Sequence, residues 1–516
     1  MNARNYLVIH VLLVFIAVCC SCSNGNSNSR KGNAVSDTIP RNAARDTIGL
    51  PARTENPSDS FLLPLVKAQK VYTGDFDTML KRRIVRVLVP YSRTLFFNDK
   101  GKERGLSADN FREFEDFLNK KYHKTSGRLP FTVAFIPTPR DQLIMNVNRG
   151  LGDIAAGNIT ATDSRKQRAD FVAPKEQGSV SELVLTRRED PPVMNVEGLS
   201  GKTVHVRKVS SYFESLQNLN NTLTAAGKMP VKINIVSEDL EDEDLMEMLD
   251  AGIISIIIVD EWKARMWAQI LPNIRLNENA AVRTGGYIGC AYRKNSPLLT
   301  AELNDFYYRY EKKLASMPYR LKKYYRQVKH LQDPTNSGNA GRYRQIMQLF
   351  DKYGKKYGFD PLMLAAMGFQ ESRLNQEQRS SVGAVGVMQL MPQTGAHMKV
   401  GDIKVTEPNI HAGAKYMNVL MTKYFKDANF DQFNRSLFAF ACYNAGPTRI
   451  VSLRKTAAGR GMNPDVWLNN VEILVSEKIG LETTTYVRNV MKYYYSYKLM
   501  LERSRGAQEE KDALRQ

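Results

Sequence analysis

The hydrophobic pattern changes once along the 516-residue chain, and this change constrains the fold more than any other feature. Between residues 83 and 260, β-branched runs of strand type alternate with segments of helical spacing. From Arg342 onward the pattern is helical, and Ile346, Phe350 and Tyr353 recur at three- and four-residue steps. Alternating strands and helices predict an α/β layer structure, whereas helices alone predict a helical domain. We therefore expect two domains of different class.

The predicted strands fall into two groups, which indicates an α/β domain with two lobes. The first group lies at 84–89, 131–135 and 153–156, and the second at 203–206, 231–235 and 253–259. The segment Asp-Pro-Thr-Asn-Ser-Gly-Asn at 333–339 is rich in turn formers and marks the domain boundary. We predict a two-lobed domain over 80–330 and a helical domain over 340–505.

The N-terminus predicts an exported protein. Residues 1–22 combine Arg4, a short apolar run and a cluster of cysteines, which is the pattern of a lipoprotein signal. Both Cys19 and Cys22 follow small or apolar residues, so either is a candidate for the lipidated cysteine. Residues 23–79 are expected to form a flexible tether. The predicted location is the cell envelope, with a lipid anchor in the outer membrane and the protein facing the periplasm.

The chain is basic, with a formal net charge of +20, which suits an anionic polymer or surface. Export argues against nucleic acid as the partner. Basic residues alternate with aromatic ones over 307–330, which predicts an amphipathic helix at the domain junction, with a glycan or anionic-lipid contact as the alternative. The isolated Cys290 and Cys442 are read as buried thiols, with a disulfide between them as the alternative.

The candidate catalytic group lies at the end of an apolar helix. Asp360 and Pro361 form a helix start, and Glu371 follows the apolar stretch 362–370. Apolar surroundings raise the pKa of a carboxyl group and keep it protonated as an acid. Gly383 and Gly386 allow tight turns after it. An acid in a cleft with aromatic residues is typical of enzymes that cleave sugar chains.

Four ordered motifs in the last third resemble the soluble lytic transglycosylases, lysozyme-like enzymes that cut peptidoglycan. The family expects "ES", "SxxGAxGLMQ", "AYNAG" and "ETxxYVxxV". The corresponding segments here are Glu371-Ser372, Ser380 to Gln389, Cys442-Tyr443-Asn444-Ala445-Gly446 and Glu482 to Val490. The stretch from Asn409 to Tyr416 also fits the family's "NIxxGxxYL" step, with Met417 in place of the final Leu. Val387 replaces Leu and Cys442 replaces Ala. The resemblance implies a mainly α, lysozyme-like domain.

The resemblance also implies a role for each matching residue. Glu371 protonates the oxygen between MurNAc and GlcNAc and then takes the proton of the MurNAc C6 hydroxyl, so a 1,6-anhydro ring closes without water. Ser380 lies near the N-acetyl group. The other implied substrate-binding residues line, brace or support the glycan cleft: Met388, Gln389, Tyr443, Asn444 and Glu482. Met388 as core filler and Glu482 as a helix N-terminal acid are the structural alternatives.

The first domain resembles the type II periplasmic-binding-protein fold, of the kind that binds amino acids. The phrases that carry this resemblance are Arg86 to Pro90, Gly150 to Ala156, Asn158 to Arg165 and Asp170 to Pro174. In that family an Arg binds the carboxylate of the ligand, and an acidic residue later in the chain binds its ammonium group. The matching residues are Arg165 and Asp260, with a solvated charge and a helix cap as the alternatives.

The sequence thus predicts a peptidoglycan lytic transglycosylase with a domain that binds an amino acid or muropeptide and regulates catalysis. No cofactor and no metal are expected, since His397 and His411 are isolated and read as structural. One alternative is a glycan-binding sensor or scaffold without lytic activity. The other is a hydrolytic muramidase, which needs a second carboxylate, for which Asp402 and Glu407 are the candidates.

Overall fold

The computed structural model describes residues 70–123, 129–172, 179–315 and 331–513. The predicted signal with Cys19 and Cys22, most of the tether and most of segment 307–330 lie outside these ranges. The strands are β1 (Ile84–Val89), β2 (Phe97–Asp99), β3 (Lys102–Arg104), β4 (Thr132–Pro137), β5 (Ile154–Thr160), β6 (Asp170–Val172), β7 (Val180–Arg187), β8 (Thr203–Arg207), β9 (Lys232–Val236), β10 (Ile256–Asp260), β11 (Ile274–Gly286) and β12 (Ile288–Tyr292). The helices are α1 (Phe76–Arg82), α2 (Leu106–Lys121), α3 (Leu143–Asn148), α4 (Asp163–Lys166), α5 (Ser211–Ala225), α6 (Asp242–Asp250), α7 (Glu261–Trp267), α8 (Pro297–Ala315), α9 (Ser337–Tyr357), α10 (Pro361–Ser372), α11 (Pro392–Met398), α12 (Thr406–Tyr424), α13 (Gln432–Ala445), α14 (Pro447–Gly459), α15 (Glu472–Ile479) and α16 (Leu481–Ala513).

Two five-stranded sheets form the predicted lobes. The first sheet has the order β4-β1-β5-β12-β6 and the second the order β11-β7-β10-β8-β9. The chain passes from the first sheet to the second after β6 and returns between β11 and β12, so the lobes are joined twice. Three neighbouring strands are parallel in each sheet, β4-β1-β5 in the first and β10-β8-β9 in the second. The antiparallel strands β12 and β7 pair with β5 and β10. This arrangement confirms the predicted two-lobed α/β domain.

The first domain begins earlier than the predicted boundary at residue 80. Helix α1 starts at Phe76, and both Phe76 and Met79 are buried in the core of the first lobe. The side chain of Asp75 caps α1 and also accepts hydrogen bonds from the start of α8. The end of the predicted tether is therefore part of the folded domain, because its apolar residues have a core to cover.

The two lobes touch each other directly. The amide of Asn158 on β5 donates a 2.8 Å hydrogen bond to Asp260 at the end of β10. Close by, the hydroxyl of Ser211 lies 3.1 Å from that of Thr160. The indole of Trp267 in the second lobe donates to Thr94 of the first at 3.1 Å. The cleft between the lobes is therefore closed by the chain's own polar side chains.

Helix α10 is the central element of the helical domain. Asp360 caps it and Pro361 occupies its first position, as predicted. Residues 363–369 are buried on all sides of the helix, and α10 packs against α9 and α16. The predicted apolar face of α9 is confirmed at Phe350 and Tyr353, which are both buried. The mainly α class of this domain is confirmed.

Buried ion pairs join the two domains. Asp244 and Glu247 of α6 lie in the second lobe, and Arg488 and Lys492 lie on α16 of the helical domain. The ammonium group of Lys492, which is 1% exposed, lies 2.8 Å from Asp244 and 2.5 Å from Glu247. Arg488 lies 3.5 Å from Asp244 and 2.5 Å from Glu472 of its own domain. Residues of the two domains thus share one buried network of charges.

Across the described ranges, no helix combines the length and the apolar character that crossing a bilayer requires. Cys290 and Cys442 are both buried free thiols, so the alternative of a disulfide between them is wrong. Burial raises the pKa of both thiols.

Candidate active site and ligand cleft

Glu371 is half-buried at the C-terminal end of helix α10, in the last turn before the chain reverses at Arg373. The hydroxyl of Tyr486 on α16 donates a 2.5 Å hydrogen bond to its Oε1. Burial raises the pKa of Glu371 from 4.5 to about 7, and the hydrogen bond from Tyr486 opposes part of this rise. A carboxyl group with this pKa is a proton donor at neutral pH and a base once it has given its proton away.

The segment 373–391 between α10 and α11 forms a compact loop beside Glu371. The hydroxyl of Ser372, next to Glu371, donates a 2.8 Å hydrogen bond to the carbonyl of Val387. Gly383 and Gly386 have φ values of 90° and 79°, which confirms the predicted tight turns. Ser380 accepts a 2.9 Å bond from the amide of Ala384, so its oxygen is held by the loop itself.

The structure places the side chains of Met388 and Tyr443 in the core. Met388 is fully buried. Tyr443 is 3% exposed, and its hydroxyl donates a 2.6 Å hydrogen bond to the Met388 carbonyl. The prediction that the Met388 side chain lines the cleft is therefore corrected, because the thioether fills the core. The pKa of Tyr443 lies well above its usual value because the phenol is buried and near Glu371.

The remaining predicted residues differ in their surroundings. Gln389 is buried, with a left-handed φ of 44°, and its amide donates to the carbonyl of Gly386. Asn444 accepts a 2.7 Å bond from the hydroxyl of Thr483. Glu482 is exposed in the first turn of α16, where the helix dipole favours an acid. The bond to Asn444 comes from Thr483, the residue after Glu482, and the support of the site by Glu482 stays a prediction.

The two candidates for a second catalytic carboxylate have other partners. Glu407 lies 2.7 Å from Lys352 and accepts a 2.8 Å bond from Tyr353. Asp402 accepts from the amide of Lys404 in a local turn. Burial and the bond from Tyr486 are the causes of the pKa shift of Glu371, and neither candidate acid contributes to it. The site as described is built around one carboxyl group.

The two isolated histidines have no metal-binding neighbourhood in the described part of the chain, where no group of three or more His, Cys, Asp or Glu residues could hold an ion. His411 stacks on Tyr353 and bonds to the hydroxyl of Tyr357 at 2.8 Å.

Sequence reasoning gave no individual role to Tyr486 or Thr483, although both lie in the last motif. Their partners, Glu371 and Asn444, lie 115 and 39 positions away along the chain. The sequence signal for both residues is a hydroxyl group on an otherwise apolar face of a helix, which indicates a buried hydrogen bond. That signal does not identify the partner, which depends on how α16 packs against α10 and α13.

The structure places Arg165 and Asp260 where the lobes meet. The guanidinium of Arg165 donates to the carbonyls of Thr160 at 3.0 Å and Val209 at 2.8 Å, so it bridges both lobes. Asp260 is 2% exposed, and burial raises its pKa to about 7. One of its oxygens accepts from Asn158, and the other is buried without a hydrogen-bond partner within the described residues. Both predicted ligand residues are thus in the cleft, but Arg165 is engaged by the main chain.

Two family models match the chain, one in each domain. Residues 85–318 match the model of the bacterial extracellular solute-binding proteins, family 3. Residues 348–464 match the Transglycosylase SLT domain. These matches confirm the prediction of a solute-binding domain followed by a lytic transglycosylase domain.

Curated relatives are similar to most of the chain. A protein of Desulfosudis oleivorans named membrane-bound lytic murein transglycosylase F is 27% identical over 381 residues, which is 69% of this chain and 79% of the relative. One of the same name from Pseudomonas fluorescens is 28% identical over 438 residues, or 80% and 84%. Among solved structures, an ancestral arginine-binding protein bound to arginine is 20% identical, with a TM-score of 0.36, over 47% of this chain and 98% of that one. The chain is therefore similar to the family 3 solute-binding proteins in its first domain, to the Transglycosylase SLT domain in its second, and over most of its length to membrane-bound lytic murein transglycosylases F.

Proposed function

We propose that this protein is a peptidoglycan lytic transglycosylase that cleaves the β-1,4 bond between MurNAc and GlcNAc and leaves a 1,6-anhydroMurNAc end. The observation that carries the proposal is the single carboxyl group of Glu371, with a pKa of about 7 and a hydrogen bond from Tyr486, in a domain that matches the SLT model. The names of the relatives agree with this reaction class.

In the proposed reaction Glu371 acts twice. Its carboxyl group first gives a proton to the glycosidic oxygen, and the GlcNAc side leaves with that proton. The carboxylate that results then takes the proton of the C6 hydroxyl, whose oxygen attacks C1 and closes the anhydro ring. A pKa near 7 favours both steps at neutral pH, since neither protonation state is costly there. Tyr486 donates to the carboxylate and so stabilises the enzyme between the steps.

We propose that Ser380, Gln389 and Asn444 contribute to glycan binding around Glu371. Ser380 and Gln389 belong to the loop that Ser372 ties to the catalytic helix. Asn444 lies at the end of α13 and is fixed by Thr483 on the helix that carries Tyr486. Met388 contributes through its main chain, since its side chain is buried.

The first domain is proposed to bind a small ligand, an amino acid or a muropeptide. The buried oxygen of Asp260 that lacks a partner is a suitable acceptor for an ammonium group. Arg165 is proposed to bind the ligand carboxylate after the lobes separate, because in the closed cleft its guanidinium bonds to main-chain carbonyls of both lobes. Opening the cleft would break the bond from Arg165 to Val209 and the bond from Asn158 to Asp260, whereas the bond from Arg165 to Thr160 lies within the first lobe.

Regulation of catalysis by this domain is proposed to act through α16. The same helix carries Tyr486, which bonds to Glu371, and Arg488 and Lys492, which pair with Asp244 and Glu247 of the second lobe. A ligand changes activity only if it binds two arrangements of the protein with different affinity. Movement of the second lobe would shift α16 and thereby the hydrogen bond to Glu371.

The proposed location is the cell envelope, with a lipid on Cys19 or Cys22 holding the protein to the outer membrane on its periplasmic side. The relatives are named membrane-bound. We propose domain bounds close to 80–330, with the start moved to include α1, and to 340–505.

The experiment that tests the proposed function uses protein lacking residues 1–22, incubated with purified peptidoglycan beside the variant Glu371→Gln. We expect the wild-type protein to release soluble fragments with anhydro ends and the variant to release none while keeping its fold. Binding of peptidoglycan without release by the wild-type protein, with or without amino acids or muropeptides added, would support the sensor alternative and contradict the proposal.

A further inference from the structure

Asn409 is a buried amide in the first turn of α12, and nothing above gives it a role. It is 0% exposed, and its side chain contacts three main-chain groups. Its oxygen accepts a 2.8 Å hydrogen bond from the amide of Met388. Its nitrogen donates to the carbonyls of Val385 and Ile403, both at 2.9 Å. Each of the two N–H groups and the oxygen of this side chain therefore has a partner.

The loop beside Asn409 is shaped to receive it. Gly386 has a φ of 79°, and a Cβ added there would lie 2.4 Å from the Asn409 nitrogen. Only glycine fits this position without a clash and without left-handed strain. The side chain of Asn409 packs against Gly386 in space that a larger residue would fill. This close contact indicates that Asn409 helps to determine the conformation of the loop.

A second side chain, that of Tyr443, also bonds to the main chain of Met388. The hydroxyl of Tyr443 donates to the carbonyl of Met388, while Asn409 accepts from the amide of that residue. Gln389 follows at once with a φ of 44°, a conformation that costs a non-glycine residue about 1 kcal/mol or more. Bonds from two helices therefore keep Gln389 in a conformation that the free chain disfavours.

The loop 385–389 is hydrogen-bonded to helix α10, which carries Glu371. Val387, between Gly386 and Met388, accepts the hydrogen bond from Ser372, the neighbour of Glu371. A shift of residues 385–389 would therefore change the loop next to the catalytic acid, even though Asn409 has no bond to Glu371.

We propose that Asn409 is a positioning residue that holds the loop 385–389 in the shape that binds the glycan beside Glu371. This inference rests on the proposed function. Asn409 acts through the main chain of the loop and takes no part in proton transfer, so its loss weakens glycan binding and leaves the titration of Glu371 in place.

The test compares Asn409→Ala with Asn434→Ala in the same domain. Asn434 is a matched control, since it is also buried and its oxygen accepts a 2.9 Å bond from the amide of Trp467 in another loop. Asn409→Ala removes all three hydrogen bonds of this side chain, and we expect it to raise KM for peptidoglycan about tenfold because the loop loses the shape that binds the glycan. The pKa read from the alkaline limb of kcat should stay unchanged. Asn434→Ala should lower Tm without raising KM.

A lowered Tm with an unchanged KM in Asn409→Ala would overturn the proposal, because it would show a purely structural residue. If Asn409→Ala does not fold, Asn409→Asp is tested in its place, because it keeps the oxygen that accepts from the Met388 amide. We expect the same rise in KM and the same unchanged pKa from this variant. Binding to peptidoglycan sacculi is also measured for Glu371→Gln with and without Asn409→Ala. Weaker binding of the double variant supports the role of Asn409 even if the wild-type protein cleaves nothing, whereas equal binding contradicts it.

Discussion

The hydroxyl of Tyr486 and the carboxyl group of Glu371 are joined by a 2.5 Å hydrogen bond between α16 and α10. This bond connects the last helix of the chain to the proposed acid at the end of the central helix. Because α16 also carries the residues that pair with the second lobe, we propose this contact as the point through which the first domain regulates catalysis.

Replacing Tyr486 by Phe should move the pH dependence of catalysis. The hydrogen bond lowers the pKa of Glu371, so its loss should raise that pKa above about 7. Activity that needs a protonated acid would then persist to higher pH, and the alkaline limb of kcat/KM should shift upward. Steady-state rates between pH 5 and pH 9 check this. An alkaline limb that stays in place or moves down would contradict the assignment.

Glu371→Gln should stabilise the fold at neutral and higher pH. The folded-state pKa of about 7 lies above the ordinary value of 4.5, so the unfolded chain releases the proton first. The free energy of unfolding of the wild-type protein therefore falls as pH rises from 4.5 to 7. The loss is at most about 3 kcal/mol, because solvent reaches this partly buried carboxyl group and reduces the effect. Denaturant unfolding at pH 4 and pH 8 should show the variant gaining only at pH 8. An equal gain at both values would show that ionisation is not the cause.

Lys492→Met should destabilise the junction of the domains. The substitution leaves Asp244 and Glu247 buried without one of their cations, and breaking a buried pair in this way costs about 3–5 kcal/mol. Chemical unfolding measures this loss. The matched control is Lys352→Met, which removes a cation from the exposed pair with Glu407 and should leave the free energy of unfolding nearly unchanged. Equal effects of the two substitutions would mean that the buried network does not stabilise the protein.

Asp260→Asn should abolish ligand binding by the first domain. Thermal unfolding with a panel of L-amino acids and anhydro-muropeptides is expected to show at least one compound that raises Tm of the wild-type protein and not of the variant. Glu278→Gln, an exposed acid of the same lobe, is the control. A compound that stabilises both proteins equally would place the ligand elsewhere.

The sequence predicted the elements better than the contacts between them. Strands such as β1 and β8 and the start of α10 at Asp360 were predictable because their patterns are local. The burial of Met388 was predictable only as an alternative, since a methionine in a loop has no periodicity that shows which side faces the core.

The partners of Glu371 and Asn409 were equally beyond the sequence. Tyr486 reaches Glu371 through the packing of α16 against α10, and Met388 reaches Asn409 because its loop folds onto α12. A motif preserves the residue types of a site, but the direction of each side chain depends on the tertiary structure. Thr483 illustrates this, because it lies inside the last motif without an individual role and yet donates the bond to Asn444.

The most direct test of the central claim is the fate of water in the reaction. Peptidoglycan is digested with the protein in water labelled with heavy oxygen, and the new ends are analysed by mass spectrometry. We predict 1,6-anhydroMurNAc ends without label, absent from the Glu371→Gln digest. Reducing ends that carry the label would show hydrolysis, and the account of Glu371 as sole acid and base would then be wrong.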